Sequence, residues 1–186
     1  LEPLAARARL GPLRSDGAPL VLLVDFKANG REALHLLRRE LEPCSDLLTR
    51  CVDGRIEPGR ITVLLSGARP VAEVTAENDR LYALDGRVRD LDTNAPPQLV
   101  PWISLPWREL TDWTGADEPL PDELERLAAL VARTHAAGKQ LRFWGAPDRP
   151  EVWRVLFELG VDRIGTDRPA AAARFLREAA VASAAR

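Results

Sequence analysis

The sequence is poor in several residue types, and each shortage narrows the class of protein. Its 186 residues include no methionine, two cysteines, two histidines and two lysines. Two cysteines are too few for a small scaffold built on disulfides. Because the formal net charge is −2, a broad electrostatic attraction to nucleic acid is not expected. The apolar runs, such as residues 19–24, fall far short of the ~20 residues that span a bilayer.

What the chain does contain suits one packed domain over residues 1–186. Hydrophobic residues make up 46% and charged residues 29%, which is the balance of a folded protein and not of a disordered one. The chain opens with Leu1 where translation would place methionine, so we expect a processed chain or a fragment. An exported and a cytoplasmic location both stay open, and so does the oligomeric state.

Short apolar runs alternate with helical patterns along the chain. The run at 19–27 is apolar until Asp25 and Lys27, which predicts a strand buried on both faces with polar residues at its carboxyl end. Residues 60–67 repeat this pattern and end in Ser66 and Gly67. Further strands are predicted at 81–84, 98–104, 140–145 and 161–167. Helices are predicted within 1–17 and at 31–41, 68–78, 121–137, 151–159 and 169–182.

This alternation of strand and helix favours a parallel sheet joined by crossover helices, either open or closed into a barrel. The sequence has no Gly-x-Gly-x-x-Gly turn and no Gly-Lys-Ser/Thr loop, so dinucleotide and P-loop nucleotide binding lose support. About six strand–helix units also fall short of the eight units and ~250 residues of a full (β/α)8 barrel.

Three stretches, at 24–27, 141–144 and 159–167, carry a family resemblance. Val24-Asp25-Phe26-Lys27 resembles a strand motif of the glycerophosphodiester phosphodiesterases, in which an acidic residue and a lysine stand two apart. The other two stretches resemble the seventh and eighth strands of the same superfamily. Its branch related to altered inheritance of mitochondria protein 6 is similar to the chain at 64–67, 84–87, 100–104 and 142–144.

The resemblance implies an α/β fold of the (β/α)8 TIM-barrel type. In this superfamily the first two strands carry two histidines and a Glu/Asp pair of metal ligands, and nothing in the sequence matches them. We therefore expect an incomplete barrel that lacks its first two β/α units, either a fragment or a degenerate protein. His35 and His135 both fall inside predicted helices, so neither is expected to act as a catalytic base.

The resemblance also implies metal-assisted acid/base hydrolysis of a phosphodiester. A divalent cation, Ca²⁺ or Mg²⁺, would be the cofactor, and a glycerophosphodiester, a phosphoinositide-like molecule or a lipid head group would be the substrate. Asp25 would be a metal ligand and Lys27 would hold a phosphate oxygen; the alternative is an ordinary ion pair or a solvated pair at a strand end. Without the histidine pair, the 186-residue chain alone is expected to be inactive.

Other residues would contact the substrate if the resemblance holds. Ser66 and Arg69 could hydrogen-bond it, or could form a turn and a helix cap. Trp102 and Trp144 could form an apolar wall, although Trp102 is also a good candidate for core packing. Arg142 could reach a phosphate from the same sheet face as Trp144, or could be a surface arginine.

Three points stay open at this stage. Asp167 could accept a hydrogen bond from the substrate or from the backbone, or could cap the helix that begins at Pro169. Cys44 and Cys51 could form a disulfide in an exported protein or could be free thiols, and a zinc site is not expected. The alternative function is a non-catalytic α/β module that binds a phosphorylated ligand or pairs with another chain.

Overall fold

The computed structural model describes residues 1–184, and these residues form two compact units. Unit 1 contains residues Leu1–Gly86 and Gln98–Pro101, and unit 2 contains Arg87–Pro97 and the chain from Trp102 onward. Whether the chain acts as a single domain stays a prediction. Among the described residues no helix is both long enough and apolar enough to cross a membrane.

Unit 1 is built on three parallel strands in the order β1–β4–β6. Its elements in chain order are α1 (Glu2–Arg9), β1 (Leu20–Phe26), α2 (Gly30–Leu41), β2 (Arg50–Val52), β3 (Arg55–Glu57), β4 (Ile61–Gly67), α3 (Val71–Thr75), β5 (Asp79–Arg80) and β6 (Tyr82–Gly86).

The central strand β4 carries the core of unit 1. Its residues Ile61, Val63, Leu64 and Leu65 are all buried, as the continuous apolar run predicts. The prediction that β1 is buried on both faces is wrong, because Leu20–Val24 are only half-buried. Within unit 1, β1 pairs with β4 alone and is therefore the outer strand of its sheet.

A small antiparallel sheet, β3–β2–β5, accompanies the parallel one and was not predicted. Strands β2 and β3 are joined by Asp53 and Gly54, which have φ values of 48° and 77°. A two-residue Asp-Gly turn with positive φ at both positions is a strong hairpin signal. The signal was present in the sequence, but the three-residue strands beside it are too short to show an apolar pattern.

Unit 2 repeats the strand–helix alternation with a second parallel sheet, β7–β8–β9. Its elements are β7 (Trp102–Pro106), α4 (Pro121–Ala136), β8 (Gln140–Trp144), α5 (Pro150–Glu158), β9 (Arg163–Ile164) and α6 (Pro169–Ala184). One sheet face is apolar, and its residues Ile103, Leu105, Leu141 and Phe143 are at most 5% exposed.

The α/β class with parallel strands is confirmed, whereas the closed (β/α)8 barrel stays a prediction. Strand β7 begins at Trp102 and not at Gln98, because Pro101 lacks the N–H that a strand needs to continue its ladder. Strand β9 has two residues where seven were predicted. Cys44 and Cys51 are buried free thiols, and burial raises the pKa of the Cys44 thiol.

Candidate functional site

A row of polar residues crosses the carboxyl ends of the three parallel strands of unit 1. Asp25 of β1 stands opposite Ser66 of β4 in the strand register. On the other side of Ser66 lies Asp85 of β6, and the Ser66 Oγ donates a hydrogen bond of 2.6 Å to the Asp85 Oδ2. Because the carboxyl ends of parallel strands meet at one sheet edge, three separate segments place their polar ends side by side.

Asp85 is the residue of this row that sequence reasoning missed as a site residue. It is 1% exposed, although it is an acid inside a short strand whose five residues are all buried. A buried carboxylate needs hydrogen-bond donors, and Ser66 supplies one. The Arg69 guanidinium donates to the backbone carbonyl of Asp85, which ties the segment after β4 to β6. An acid next to Gly86 at the end of an apolar run was the available signal.

Asp25 and Lys27 form the exposed end of the row. The Lys27 Nζ lies 2.5 Å from the Asp25 Oδ2, and their side chains are 85% and 47% exposed respectively. Only glycine fits at position 67 without displacing its neighbours, because a Cβ there would lie 2.2 Å from both the Asp25 Oδ1 and the Phe26 carbonyl oxygen. Gly67 also has a φ of +70°, a conformation that glycine adopts at little cost.

Asp25 is the residue that the sequence predicts as a metal ligand. Residues 1–184 contain no group of three or more His, Cys, Asp or Glu side chains that could hold an ion together. Hard cations such as Ca²⁺ and Mg²⁺ take several oxygen ligands. Asp25 is not part of such a group among residues 1–184.

In unit 2 the polar face of the sheet combines two guanidinium groups with an indole. Arg142 of β8 and Arg163 of β9 are register partners, and their guanidinium carbons lie 6.0 Å and 5.5 Å from the centroid of the Trp102 ring. Ser104, two residues after Trp102 on the same face, has its Oγ 3.4 Å from the Arg142 Nη1. Trp102 is 5% exposed, so it forms the floor beneath the two cations.

Trp144 closes β8 and is unlike Trp102 in its exposure. It is 46% exposed, so its ring is available for contact with a ligand. Gly165 lets the chain after β9 approach the end of β8 closely, because a Cβ at Gly165 would lie 2.8 Å from the Phe143 carbonyl oxygen and 3.1 Å from the Trp144 Cα.

The loop after β9 is held by Asp148. Its carboxylate accepts a hydrogen bond from the Thr166 hydroxyl and another, of 3.0 Å, from the backbone N–H of Asp167. The two interpretations of Asp167 concern its side chain, and neither is settled by this backbone contact. Asp148 is a second residue that sequence reasoning missed, and nothing in its Gly-Ala-Pro-Asp surroundings marked it.

Both histidines lie on helices, as predicted. His35 is an exposed residue of α2. His135 lies in the last turn of α4, where its Nε2 is 2.8 Å from the Asp162 Oδ2. Neither histidine stands at the carboxyl end of a described strand, where Asp25, Ser66 and Trp144 lie.

These features define a class: a parallel α/β protein with polar and aromatic residues at the carboxyl ends of its strands, which is where such folds bind ligands. Comparison with known proteins shows which family this chain is similar to. Residues 140–170, which contain β8, α5 and β9, match the model of the Glycerophosphoryl diester phosphodiesterase family. The chain is also 30% identical over 164 residues to the Altered inheritance of mitochondria protein 6 homolog of Arthroderma benhamiae.

These matches confirm the resemblance to the glycerophosphodiester phosphodiesterase superfamily and to its branch related to altered inheritance of mitochondria protein 6. The alignment with the fungal relative covers 82% of this chain and 52% of that protein, so the chain spans about half the length of the curated relative it matches. No solved structure matches the chain at a significant level.

Proposed function

We propose that the protein containing this chain hydrolyses phosphodiesters by a metal-assisted acid/base reaction. The observation that carries the proposal is the family match over residues 140–170, which includes Trp144 at the end of β8. The proposed substrates are glycerophosphodiester-like or phosphoinositide-like molecules, free or as lipid head groups. We further propose that the strands of the chain belong to a (β/α)8 barrel that residues outside the chain complete.

The residues of unit 1 have distinct roles in this proposal. The Lys27 ammonium is a compact positive charge on an exposed side chain, and it would hold a phosphoryl oxygen. Asp25 would contribute one carboxylate to a Ca²⁺ or Mg²⁺ site whose other ligands come from outside the chain. The metal would offset the charge that develops on the phosphoryl oxygens. Ser66 donates its hydroxyl hydrogen to Asp85, so it would help to fix the carboxyl ends of β4 and β6 and would accept a hydrogen bond from a hydroxyl group of the substrate.

The residues of unit 2 would recognise the rest of the substrate. The exposed Trp144 ring would pack against an alcohol or lipid portion. Arg142 is half-buried on the polar sheet face and would donate to phosphate oxygens. Trp102 would support Arg142 from below and would touch the substrate little, because it is buried.

The acid/base pair is the part of the reaction that the described residues do not supply. Hydrolysis needs one group to take a proton from water and another to protonate the leaving oxygen. The two histidines lie on helices α2 and α4, and His135 already has Asp162 as its partner. We therefore expect residues 1–186 alone to hydrolyse neither glycerophosphodiesters nor bis(p-nitrophenyl) phosphate.

The test compares the full-length protein with its Lys27→Gln variant. With Ca²⁺ or Mg²⁺ present, the full-length protein should hydrolyse bis(p-nitrophenyl) phosphate and should stop when EDTA removes the metal. Loss of the lysine charge should lower kcat/KM by about 10²-fold, the usual cost of one group that stabilises developing charge. Arg31→Gln is the matched control, because Arg31 is also an exposed cation of unit 1 in an ion pair.

Two outcomes would contradict the proposal. One is equal activity of the Lys27→Gln and Arg31→Gln variants. The other is metal-dependent turnover by residues 1–186 alone, which would mean that the acid/base pair lies within this chain. A full-length protein that binds a phosphodiester without hydrolysing it would favour the non-catalytic module instead.

A further inference from the structure

A small cavity lies in unit 1 at the amino end of β6, the opposite end of the strand from Asp85. Its volume is 310 Å³, which is large enough for a small molecule and small for a pocket of that kind. The charged side chains that line it are Arg38, Arg50, Arg80, Glu77 and Asp79, and Tyr82 is also part of the lining. Three guanidinium groups thus face two carboxylates around one space.

The first carboxylate is that of Glu77, and each of its two oxygens has a hydrogen-bond partner. Glu77 accepts a hydrogen bond of 2.6 Å from the Tyr82 hydroxyl and forms an ion pair with Arg38. The Arg38 Nε in turn donates to the Tyr82 hydroxyl oxygen at 2.9 Å. Burial and the hydrogen bond to Glu77 raise the pKa of Tyr82 to about 12, so its phenol stays neutral at physiological pH. This triangle carries no net charge.

The second carboxylate is neutralised as well. Asp79 accepts hydrogen bonds from the Nε and the Nη2 of Arg50, which is the bidentate geometry of a strong guanidinium–carboxylate pair. The hydrogen bonds from Arg50 lower the pKa of Asp79, so the pair stays ionised at neutral pH. Two of the three guanidinium groups are therefore matched by the two carboxylates.

The third guanidinium is the buried one. Arg80 is 8% exposed, and its Nη1 and Nη2 donate to the backbone carbonyls of Glu77 and Gln98, each at 3.1 Å. Its Nε is buried and has no hydrogen-bond partner. Carbonyl oxygens are neutral, so within the described part of the chain no carboxylate balances the charge of Arg80.

A buried charge without an opposite charge is costly, and proteins rarely keep one that has no use. Each terminal nitrogen of Arg80 also has a second hydrogen beyond the one it donates to a carbonyl. The planar guanidinium suits the paired oxygens of a phosphate or a carboxylate. We propose that this cavity, which we call the Arg80 cavity, binds a small oxyanion, with Arg80 as the charge that holds it.

This inference does not rest on the proposed phosphodiesterase reaction. The Arg80 cavity adjoins the start of β6, whereas Ser66 and Asp85 lie at the carboxyl ends of β4 and β6. Occupation of the cavity would neutralise the surplus charge and link α2, β5 and β6 through one ligand. The oxyanion would therefore stabilise the folded protein as well as bind to it.

The experiment titrates the full-length protein with inorganic phosphate and, in a separate arm, with succinate, at constant ionic strength. The backbone amide NMR shifts of Ser45 and Tyr82, which line the Arg80 cavity, report binding there. We expect saturable shifts with at least one of the two anions, and the arm that saturates identifies phosphate or carboxylate as the ligand chemistry.

Three variants decide between specific binding and a general charge effect. Ser45→Asp adds a negative charge to the exposed part of the cavity lining and should weaken binding about tenfold or more. Ser15→Asp, at an exposed position outside the lining, makes the same change of net charge and should leave the affinity unchanged. Arg80→Gln should abolish the saturable shifts. Because Arg80 is buried and that variant could fail to fold, Ser45→Asp is the decisive variant.

The inference is overturned by any of three results. The first is the absence of saturable shifts in both arms. The second is equal affinity in the Ser45→Asp and Ser15→Asp variants. The third is loss of the shifts in Lys27→Gln, which would assign the binding to the strand-end site. Retained shifts in Lys27→Gln support the Arg80 cavity even if the protein proves to have no phosphodiesterase activity.

Discussion

The two units of the chain bury polar groups at their parallel sheets in different ways. In unit 1 the buried carboxylate of Asp85 is fixed by a short hydrogen bond from Ser66. In unit 2 the half-buried guanidinium groups of Arg142 and Arg163 lie over the indole of Trp102, and the contact of Arg142 with Ser104 is long. At these two places unit 1 uses a short hydrogen bond between side chains, whereas unit 2 uses contact between guanidinium groups and an aromatic ring.

The largest expected effect tests the role of aromatic packing in unit 2. Trp102→Ala should lower the free energy of unfolding by about 3–5 kcal/mol, because it removes a buried ring and the floor beneath two arginines. Trp144→Ala is the control, and it should cost less than about 1 kcal/mol because nearly half of Trp144 is exposed. Urea unfolding measures both. Equal losses would mean that burial does not distinguish the two rings.

The second prediction tests whether a side chain can be accommodated at Gly67, at the carboxyl end of β4. Gly67→Ala should cost about 3 kcal/mol, because its Cβ would collide with the Asp25 carboxylate and the Phe26 carbonyl in addition to the cost of a positive φ. Gly17→Ala is a matched control, since Gly17 has a φ of +73° and nothing within 4 Å of a Cβ. It should cost about 1 kcal/mol. If the two variants unfold at the same urea concentration, the close contacts at Gly67 add no cost to that of a positive φ.

The third prediction compares the two serines directly. Ser66→Ala removes the hydrogen bond that Ser66 donates to the buried Asp85 carboxylate and should cost about 1–3 kcal/mol. Ser104→Ala loses only the 3.4 Å contact with Arg142 and should cost about 0.5 kcal/mol or less. Thermal unfolding of the two variants gives the comparison. A larger loss in Ser104→Ala would reverse the contrast between the units.

The smallest effect concerns a hydroxyl–carboxylate pair of unit 2 that is not deeply buried. The Thr111 hydroxyl and the Leu120 N–H donate to Glu123, and these hydrogen bonds lower its pKa. Glu123→Gln should cost about 1 kcal/mol at neutral pH, the usual value of a helix cap. Glu125→Gln, at an exposed position of the same helix, is the control.

The sign of the pH dependence follows from the direction of the shift. Because the pKa of Glu123 is lower in the folded state, its stabilising contribution is present above the unfolded pKa of about 4.3 and is lost as the pH falls through the folded value. The stability gap between the protein and Glu123→Gln should therefore close in acid. A gap that stays constant between neutral pH and pH ~2 would contradict the role of the ionised carboxylate.

Much of the fold could be predicted because strand and helix patterns are local. The apolar runs predict β1, β4 and β8 within a residue or two, and Pro121 and Gly138 predict the ends of α4. The strands beside Asp53-Gly54 and the strand β9 were harder to predict. They have only two or three residues each, which is too short for an apolar pattern to appear.

The site was predictable only in part, for a different reason. Asp25, Lys27 and Ser66 stand at the ends of visible strands, so their position at a sheet edge follows from the strand pattern. The roles of Asp85, Asp148 and Arg80 depend on partners 19, 18 and 18 residues away in the chain, and no spacing rule connects such pairs. The burial of the Asp85 carboxylate and of the Arg80 guanidinium follows from tertiary packing, which no local sequence pattern shows.

The scarcity of lysine gives the chain a practical property. Lys139 is 5% exposed and its Nζ donates to the Ala95 carbonyl, whereas the side chain of Lys27 is 85% exposed. An amine-directed reagent should therefore label one side chain of these 186 residues, and that side chain stands at the end of β1. A fluorophore or cross-linker could be attached there without engineering, which makes the strand end directly observable.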